Sequence, residues 1–342
     1  MQQMAGRRGP AVLWLSAAAA VLIIGIVAIA VGMVGLDGDD PNAPSAAGPA
    51  EAPPSRRPTQ VTIDLDPADG YVATVRGTDA SRQFLTARDF LVNSAGGGRY
   101  AGEVSAFDPG TFDAAPLQGG EVVDVSGHDA RYVPAYRFAA TGGDGKTHSS
   151  PAVGWQDPSG VWLLVYVAPG EQATRADLIR LAGSVTLTQP RDLLTPFRIG
   201  TMPNGLAVTY VQSSEEKNGS SGAIGLSDPR RKASAAAVYD GSAYGVTVSI
   251  DASVPNPAWT AERSQLSGKT KVGGHDAWYL EGKNPLSSDG MGSSLFVETK
   301  HCVVRIRTAD RAAISRTELN RTVAAMAIGD CGDPDTWITP LA

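Results

Sequence analysis

A histidine followed by an aspartate occurs twice in this sequence, in closely similar surroundings. Residues 125–132 read V-S-G-H-D-A-R-Y, and residues 272–279 read V-G-G-H-D-A-W-Y. An imidazole beside a carboxylate could bind a metal ion or transfer protons near neutral pH. Neighbouring residues of a β-strand point to opposite faces, however, which separates the two groups. The sequence therefore favours a structural hairpin motif, in which the Asp or His side chain bonds the turn backbone. The motif comprises Gly127, His128, Asp129, Gly274, His275 and Asp276.

The remaining residues that could support catalysis or metal binding form no recognisable motif. The other two histidines, His148 and His301, belong to no H-x-x-x-H or H-E-x-x-H pattern, and no G-x-S-x-G nucleophile elbow occurs. Glycosidase carboxylates need not be close in sequence, so an envelope hydrolase stays as the least favoured alternative. We therefore predict a protein that is not an enzyme, with no catalytic residue, no metal site and no cofactor.

The chain has two cysteines, Cys302 and Cys331. This number excludes a disulfide-rich scaffold and a four-cysteine zinc site. Outside the cytoplasm the pair can form a structural disulfide, which would stabilise the fold by about 3 kcal/mol. Two free thiols or a redox pair are the alternatives, and no C-x-x-C motif supports redox chemistry. We favour the structural disulfide.

The surroundings of the His-Asp pairs belong to a longer internal repeat. The hairpin motif recurs 147 positions later, and Y-A-G-E-V-S at residues 100–105 resembles Y-G-V-T-V-S at residues 244–249, 144 positions later. Apolar runs begin at Val161 and Cys302, and helix-start signals begin at Thr174 and Ser315, both 141 positions apart. The sequence therefore predicts two copies of one domain, at residues 61–190 and 191–342.

Each predicted copy reads as strands followed by a helix. Apolar and polar residues alternate at 130–138 and 244–250, which predicts half-buried strands. Gly127 and Gly274 suit a tight hairpin turn that needs a positive φ. The helices that follow Thr174 and Ser315 carry an apolar stripe that would cover one side of an antiparallel sheet. We therefore predict an α+β fold with two tandem repeats of an antiparallel β-sheet packed against a helix.

Residues 11–35 contain no Asp, Glu, Lys or Arg. A helix of this length extends about 37 Å, enough to cross a bilayer, and Arg7 and Arg8 before it favour a cytoplasmic N-terminus. A cleaved signal peptide is the alternative, with a small-residue site at Ala28-Ile29-Ala30. We predict a cytoplasmic tail at residues 1–10, an uncleaved transmembrane signal anchor at 11–35 and a Pro/Ala-rich linker at 36–60.

Composition and location exclude several functions. The 342 residues include 29 basic and 35 acidic side chains, a net charge of −6 that argues against a general nucleic-acid binder. A cytoplasmic tail of about ten residues is too short to fold as a kinase, sigma factor or DNA-binding site.

The tryptophans after the anchor favour buried packing, with a face or cleft for an apolar ligand or peptide as the alternative. The basic loop at residues 230–232 is interpreted as solvated surface, with contact to an anionic envelope polymer as the lesser alternative.

The order of short tail, anchor, Ala/Pro-rich linker and exported part resembles uncharacterised single-pass membrane proteins of actinobacteria. The repeat unit, with its G-H-D-A-x-Y hairpin, its β run and a capped helix ending L-A-G-S-V at residues 181–185, is similar to a bacterial exported domain of unknown function. That domain is distantly related to lipoprotein-carrier folds. The resemblance implies a cell-envelope protein and carries over no catalytic residue.

These observations predict a membrane-anchored, extracytoplasmic binding or interaction protein of the bacterial cell envelope. Its expected partners are the cytoplasmic membrane and an envelope protein, a polymer or an apolar ligand, and not a nucleic acid. A carrier of a lipid or other apolar molecule is the alternative function.

Overall fold

The computed structural model of the chain describes residues 56–79, 81–91, 98–138, 149–168, 170–203, 205–215, 219–228, 246–281, 292–308 and 314–342. All of them belong to one compact unit, Pro49–Ala342. The predicted tail, the predicted anchor at 11–35, most of the predicted linker and the basic loop at 230–232 lie outside the described residues. Among the helices within those ranges, none has the length and hydrophobicity needed to cross a bilayer.

The described chain is mostly antiparallel β-sheet with three α-helices, which confirms the predicted α+β class. The strands are β1 (Gln60–Leu65), β2 (Tyr71–Asp79), β3 (Arg82–Asp89), β4 (Arg99–Phe107), β5 (Glu121–Val125), β6 (His128–Arg137), β7 (Ser149–Gln156), β8 (Trp162–Tyr166), β9 (Val185–Asp192), β10 (Phe197–Arg198), β11 (Ala207–Ser214), β12 (Ser221–Ser227), β13 (Val248–Ser253), β14 (Thr270–Val272), β15 (His275–Glu281), β16 (Ser293–Glu298), β17 (Val303–Thr308) and β18 (Ala327–Ile328). The helices are α1 (Arg175–Gly183), α2 (Pro257–Arg263) and α3 (Arg316–Ala324).

Fourteen strands form one continuous sheet. Its order is β14-β15-β16-β17-β13-β12-β11-β2-β3-β4-β8-β7-β6-β5. The sequence predicts a sheet in each of the segments 61–190 and 191–342, and the structure places the strands of both segments in the same sheet. The connection is the antiparallel pairing of β2 with β11.

Two sets of seven strands follow the same order outward from this junction. One set runs β2-β3-β4-β8-β7-β6-β5, and the other runs β11-β12-β13-β17-β16-β15-β14. The register corresponds as well: rows of directly opposite residues run Tyr132–Val153–Val165–Val104 in the first set and Tyr279–Leu295–Ile306–Ile250 in the second. Val104 and Ile250 therefore hold equivalent positions in the two sets, and they are 146 residues apart. In the sequence, residues 100–105 match residues 244–249 at an offset of 144, which differs from the structural equivalence by two residues.

The two hairpins that contain the His-Asp pairs have the same turn. Ser126 and Gly127 have φ of 50° and 86°, and Gly273 and Gly274 have φ of 58° and 86°. Two consecutive positive φ angles between directly paired strands are typical of a type I′ turn, whose twist matches that of the strands. Both glycines therefore adopt the positive φ predicted for them.

Helices α1 and α3 begin at the predicted capping residues. The Thr174 hydroxyl accepts a hydrogen bond from the Asp177 amide at 3.1 Å, and the Asp177 carboxylate accepts one from the Thr174 amide at 3.1 Å. The Ser315 hydroxyl accepts from the Glu318 amide at 3.2 Å. These bonds satisfy amide groups that the first turn of a helix leaves without partners.

The apolar stripes of α1 and α3 pack on the same side of the sheet, which we call the helix face. The buried residues of the stripes are Leu178, Leu181, Ala182, Leu319 and Val323. They contact inward-pointing aliphatic residues of the central strands. Helix α1 and the first set of strands form one core, and α3 and the second set form another. Strand β1 contributes to both, since its Ile63 packs in the core of α1 and its Val61 in the core of α3.

Two short ribbons complete the helix side. Strand β1 pairs with β9, and β10 pairs with β18. The C-terminal tail adds to the second ribbon, because the amide and carbonyl groups of Thr195 exchange hydrogen bonds with Ile338 at 2.9 and 3.0 Å. The ribbons lie along the same cores as the helices.

The predicted disulfide between Cys302 and Cys331 is confirmed. Cys302 directly precedes β17, Cys331 follows β18, and their Cα atoms are 5.3 Å apart. Both side chains are fully buried in the core beneath α3. The bond thus connects the central sheet to the segment that follows α3.

We predict that replacing Gly274 by Ala lowers the free energy of unfolding by about 1–2 kcal/mol, because a Cβ strongly disfavours positive φ. A Cβ at Gly274 would meet no neighbouring atom, so the loss reports backbone conformation only. Gly127→Ala should cost a similar amount, and the two losses should add in the double variant. Denaturant titration measures all three, and an unchanged midpoint would contradict the turn assignment.

We also predict that the double variant Cys302→Ala, Cys331→Ala is less stable than the parent chain by about 3–4 kcal/mol. The bond joins residues 29 positions apart, and loss of that constraint on the unfolded chain accounts for this amount. Urea titration with and without reductant is the measurement. Reductant should lower the midpoint of the parent chain and leave the variant unchanged; equal midpoints for all four samples would contradict the prediction.

Candidate functional site

The side of the sheet opposite α1 and α3 carries a series of aromatic residues, and we call it the aromatic face. Directly opposite residues of neighbouring strands share a face, which assigns these side chains to one side. The series comprises Phe84, Phe107, Trp162, Tyr166, Tyr210, Trp278 and Phe296. Helix α2 and the short turn at Ala115–Leu117 pack on this face.

Three half-buried rings form a cluster at one end of the first set of strands. The Phe112 ring centroid lies 4.6 Å from that of Phe107 and 5.2 Å from that of Trp162. Beside them, Tyr136, Phe138 and Tyr166 are buried with centroid separations of 4.9 and 4.7 Å. We call Phe107, Phe112 and Trp162 the ring cluster; it presents apolar surface to solvent.

The second set of strands buries its aromatic residues under α2. The Trp259 ring lies 5.9 Å from Trp278 and 5.6 Å from Phe296, centroid to centroid, and its indole N–H donates to Glu298 at 3.0 Å. Trp155 and Trp337 are also buried, with 3% and 6% of their surface exposed. Buried packing is thus the observed state of four tryptophans after the anchor, and Trp162 is the half-exposed one.

A half-buried polar cluster lies on the same face, where Glu103 of β4 pairs with Tyr166 of β8. The Thr86 hydroxyl donates to the Glu103 carboxyl at 2.9 Å, and the Tyr100 hydroxyl also bonds this carboxyl. Burial raises the pKa of Glu103 to about 7, although the two hydroxyls and the Arg82 guanidinium act to lower it. Burial likewise raises the pKa of the neighbouring Tyr166 phenol. The carboxyl can therefore change its charge near neutral pH.

The second set places a different polar cluster on the same face. The Asp251 carboxylate lies 3.9 Å from the Arg305 guanidinium and 3.5 Å from that of Arg307, and Arg305 also pairs with Glu262 at 2.8 Å. Burial raises the pKa of Asp251, against the lowering effect of the two arginines. Arg305 in addition lies over the Phe296 ring, 5.2 Å from its centroid. This cluster is an ion-pair network that holds α2 against the sheet.

The two His-Asp motifs lie at the two ends of the sheet, so the structure does not bring them together. His128 shares the helix face with the buried Ala130, whereas Asp129 points to the aromatic face, opposite Asp124 of β5. In the second motif His275 is exposed. The Asp276 carboxylate pairs with Lys269 at 3.2 Å and Lys271 at 2.6 Å, and hydrogen bonds from these lysines lower its pKa.

Within the described ranges, no group of three or more His, Cys, Asp and Glu side chains is arranged to hold a metal ion. The polar clusters of the aromatic face were missed by the sequence reasoning. A signal was present: Arg305 and Arg307 alternate with Val304 and Ile306, which is typical of a strand with one buried and one polar side. Glu103 is a similar signal, because it is a charged residue within a strand, β4 (Arg99–Phe107).

No protein-family model matches the chain, and no curated protein matches it either. Among solved structures, the crystal structure of MucB in complex with MucA(peri) aligns at 9% identity with a TM-score of 0.21, covering 77% of this chain and 96% of that one. The complex structure of Pseudomonas aeruginosa MucA/MucB aligns at 10% identity with a TM-score of 0.19, covering 78% and 96%. The TM-scores show only weak structural similarity and assign no function to this chain.

We predict that Glu103→Gln stabilises the protein at pH 8 by about 3 kcal/mol and has little effect below pH 4.5. The folded carboxyl has a pKa near 7 against an ordinary value of 4.5, so the folded state binds more protons between these values and loses stability as pH rises through them. Glutamine keeps an acceptor for Thr86 and a polar group for Tyr100 without this penalty.

Urea titrations at a series of pH values measure the effect. The exposed Asp335 provides the control, since Asp335→Asn should leave the pH profile of the parent chain unchanged. A Glu103→Gln variant whose stability follows the parent profile between pH 4.5 and pH 7 would contradict the assigned pKa.

Proposed function

We propose that this chain is a single-pass, membrane-anchored binding protein of the bacterial cell envelope, of the kind found in actinobacteria, and that it acts without catalysis. Its N-terminal tail would lie in the cytoplasm, its anchor at residues 11–35 in the membrane, and its folded unit outside. The charge-free segment, the two arginines before it and the Pro/Ala-rich linker support this arrangement. The Cys302–Cys331 disulfide agrees with it, because such bonds persist outside the reducing cytoplasm.

The folded unit would consist of two tandem copies of one domain, at residues 61–190 and 191–342. The identical strand order on the two sides of the β2–β11 junction supports this duplication. The equivalent registers and the matching turns at Gly127 and Gly274 support it further. Two copies that share one sheet would make a rigid support for a partner some distance from the membrane.

The observation that carries the binding function is the ring cluster of Phe107, Phe112 and Trp162. Aromatic side chains that are half exposed and mutually packed provide a large apolar contact area at small entropic cost. Such residues are enriched where proteins bind other proteins. We therefore assign the ring cluster as the contact for an envelope protein.

Chemical crosslinking in intact bacterial cells that express the full chain tests this assignment. Phe112→Ser should reduce the yield of crosslinked partner by about tenfold, since removal of a central aromatic contact commonly costs that much affinity. A deletion of residues 61–190 is a poor test, because it would remove β2 and leave β11 paired on one side only, with β12.

Leu187→Ser is the matched control. Leu187 lies on β9 and exposes 37% of its surface, so its replacement also removes an exposed apolar side chain, away from the ring cluster. Equal crosslinking by the parent, Phe112→Ser and Leu187→Ser would overturn the assignment of the ring cluster. Digestion of intact cells by an added protease tests the location, since residues 49–342 should be accessible from outside.

A further inference from the structure

The sheet has two outer edges, formed by β5 and β14. Within the described ranges, neither strand pairs with another on its outer side. An edge strand leaves backbone N–H and C=O groups available to a further strand, and proteins commonly block such edges with short strands or with lysine side chains.

The β14 edge is blocked in this way. The strand has three residues, and Lys271 within it and Lys269 just before it both bind the Asp276 carboxylate of the neighbouring strand. The charge of Asp276 is therefore compensated within the hairpin, and the two long lysine side chains lie along this edge.

The β5 edge lacks this protection. Val122 and Asp124 occupy the positions that Lys269 and Lys271 occupy in the other hairpin, counted from the turns. Val122 exposes 55% of its surface, and Asp124 lies directly opposite Asp129, so two like charges face each other. Arg131, which lies opposite Val122 on the same face, donates to the Gly120 carbonyl at 3.2 Å.

The backbone of β5 is oriented for strand addition. Val125 and His128 flank a two-residue turn and therefore exchange both of their hydrogen bonds across the hairpin. Pairing alternates along a strand, so Val122 and Asp124 direct their N–H and C=O groups outward. The buried side chains of Val123 and Val125 hold the strand against the core beneath α1.

We propose that β5 binds an extended, basic segment of a partner protein as an added β-strand, with main-chain hydrogen bonds to Val122 and Asp124. Lysine or arginine side chains of the segment would neutralise Asp124 and Asp129, as Lys269 and Lys271 neutralise Asp276 in the other hairpin. The aliphatic part of a neighbouring lysine or arginine side chain of the segment would cover Val122. The inference rests on the proposed binding function and names a second contact surface and the chemistry of what it binds.

Fluorescence polarisation with three labelled peptides tests the proposal on the full-length chain in detergent at about 0.15 M salt. The probes are Lys-Val-Lys-Val-Lys-Val-Lys, its glutamate counterpart, and the same lysine peptide with every backbone amide N-methylated. Only the first should bind, because the second has the wrong charge and the third has no N–H group to donate to β5. Binding of the first should also slow hydrogen exchange at the Val122 and Asp124 amides.

Asp124→Lys is the decisive variant, because it places a lysine opposite Asp129 in the arrangement of Lys271 and Asp276. It should fold with a raised melting temperature and bind the first peptide at least tenfold more weakly. Val122→Pro, which removes one outward amide, should weaken binding similarly. Asp335→Lys makes the same charge change at an exposed site in the C-terminal turn Pro334–Thr336 and should leave affinity unchanged within about twofold.

Equal binding of the lysine peptide and its N-methylated counterpart would overturn the proposal, since charge attraction without strand pairing would explain it. Equal weakening by Asp124→Lys and Asp335→Lys would overturn it for the same reason. The crosslinking experiment on Phe112 reports a different surface. Failure of the peptide experiments with that crosslinking intact therefore rejects the β5 inference and leaves the proposed function standing.

Discussion

The antiparallel ladder between β2 and β11 joins the two sets of strands, and the rest of the described fold depends on it. Five residue pairs form the ladder, from Val75 opposite Ser214 to Asp79 opposite Tyr210. Packing on the aromatic face reinforces it: Gly77 leaves room for the Phe84 ring, and Phe84 stacks on Tyr210 at 6.0 Å. A side chain at Gly77 would displace Phe84 and disturb the contact that crosses the junction.

The central pairing of β2 with β11 determines which strands of the sheet have an unpaired edge. Because the backbone groups of β2 and β11 bond each other, the unpaired edges lie at the far ends of the sheet, in the two hairpins that carry the His-Asp motifs. The repeated motif thus marks the edges of the sheet and not a shared active site. The two edges then differ in the residues that matter for aggregation and binding, since one carries lysines bound to Asp276 and the other carries the exposed Val122 next to Asp124 on the same face.

Local features could be predicted from the sequence, and long-range pairing could not. The turn glycines, the helix caps at Thr174 and Ser315 and the disulfide follow from chemistry within a few residues or from a unique pair of cysteines. Nothing in β2 or β11 specifies that they pair with each other, because alternation identifies a strand but not its neighbour.

The polar clusters escaped prediction for a related reason. Glu103 meets Tyr166 and Thr86 across neighbouring strands, and the pKa of its carboxyl depends on burial that only the assembled sheet provides. The sheet ladders also show how far the two sets differ: Ser249 occupies the place of Glu103, and Arg307 that of Tyr166. The change from a carboxyl–phenol pair to a serine–arginine pair therefore gives the aromatic face different charges in the two sets of strands, although the strand order is the same.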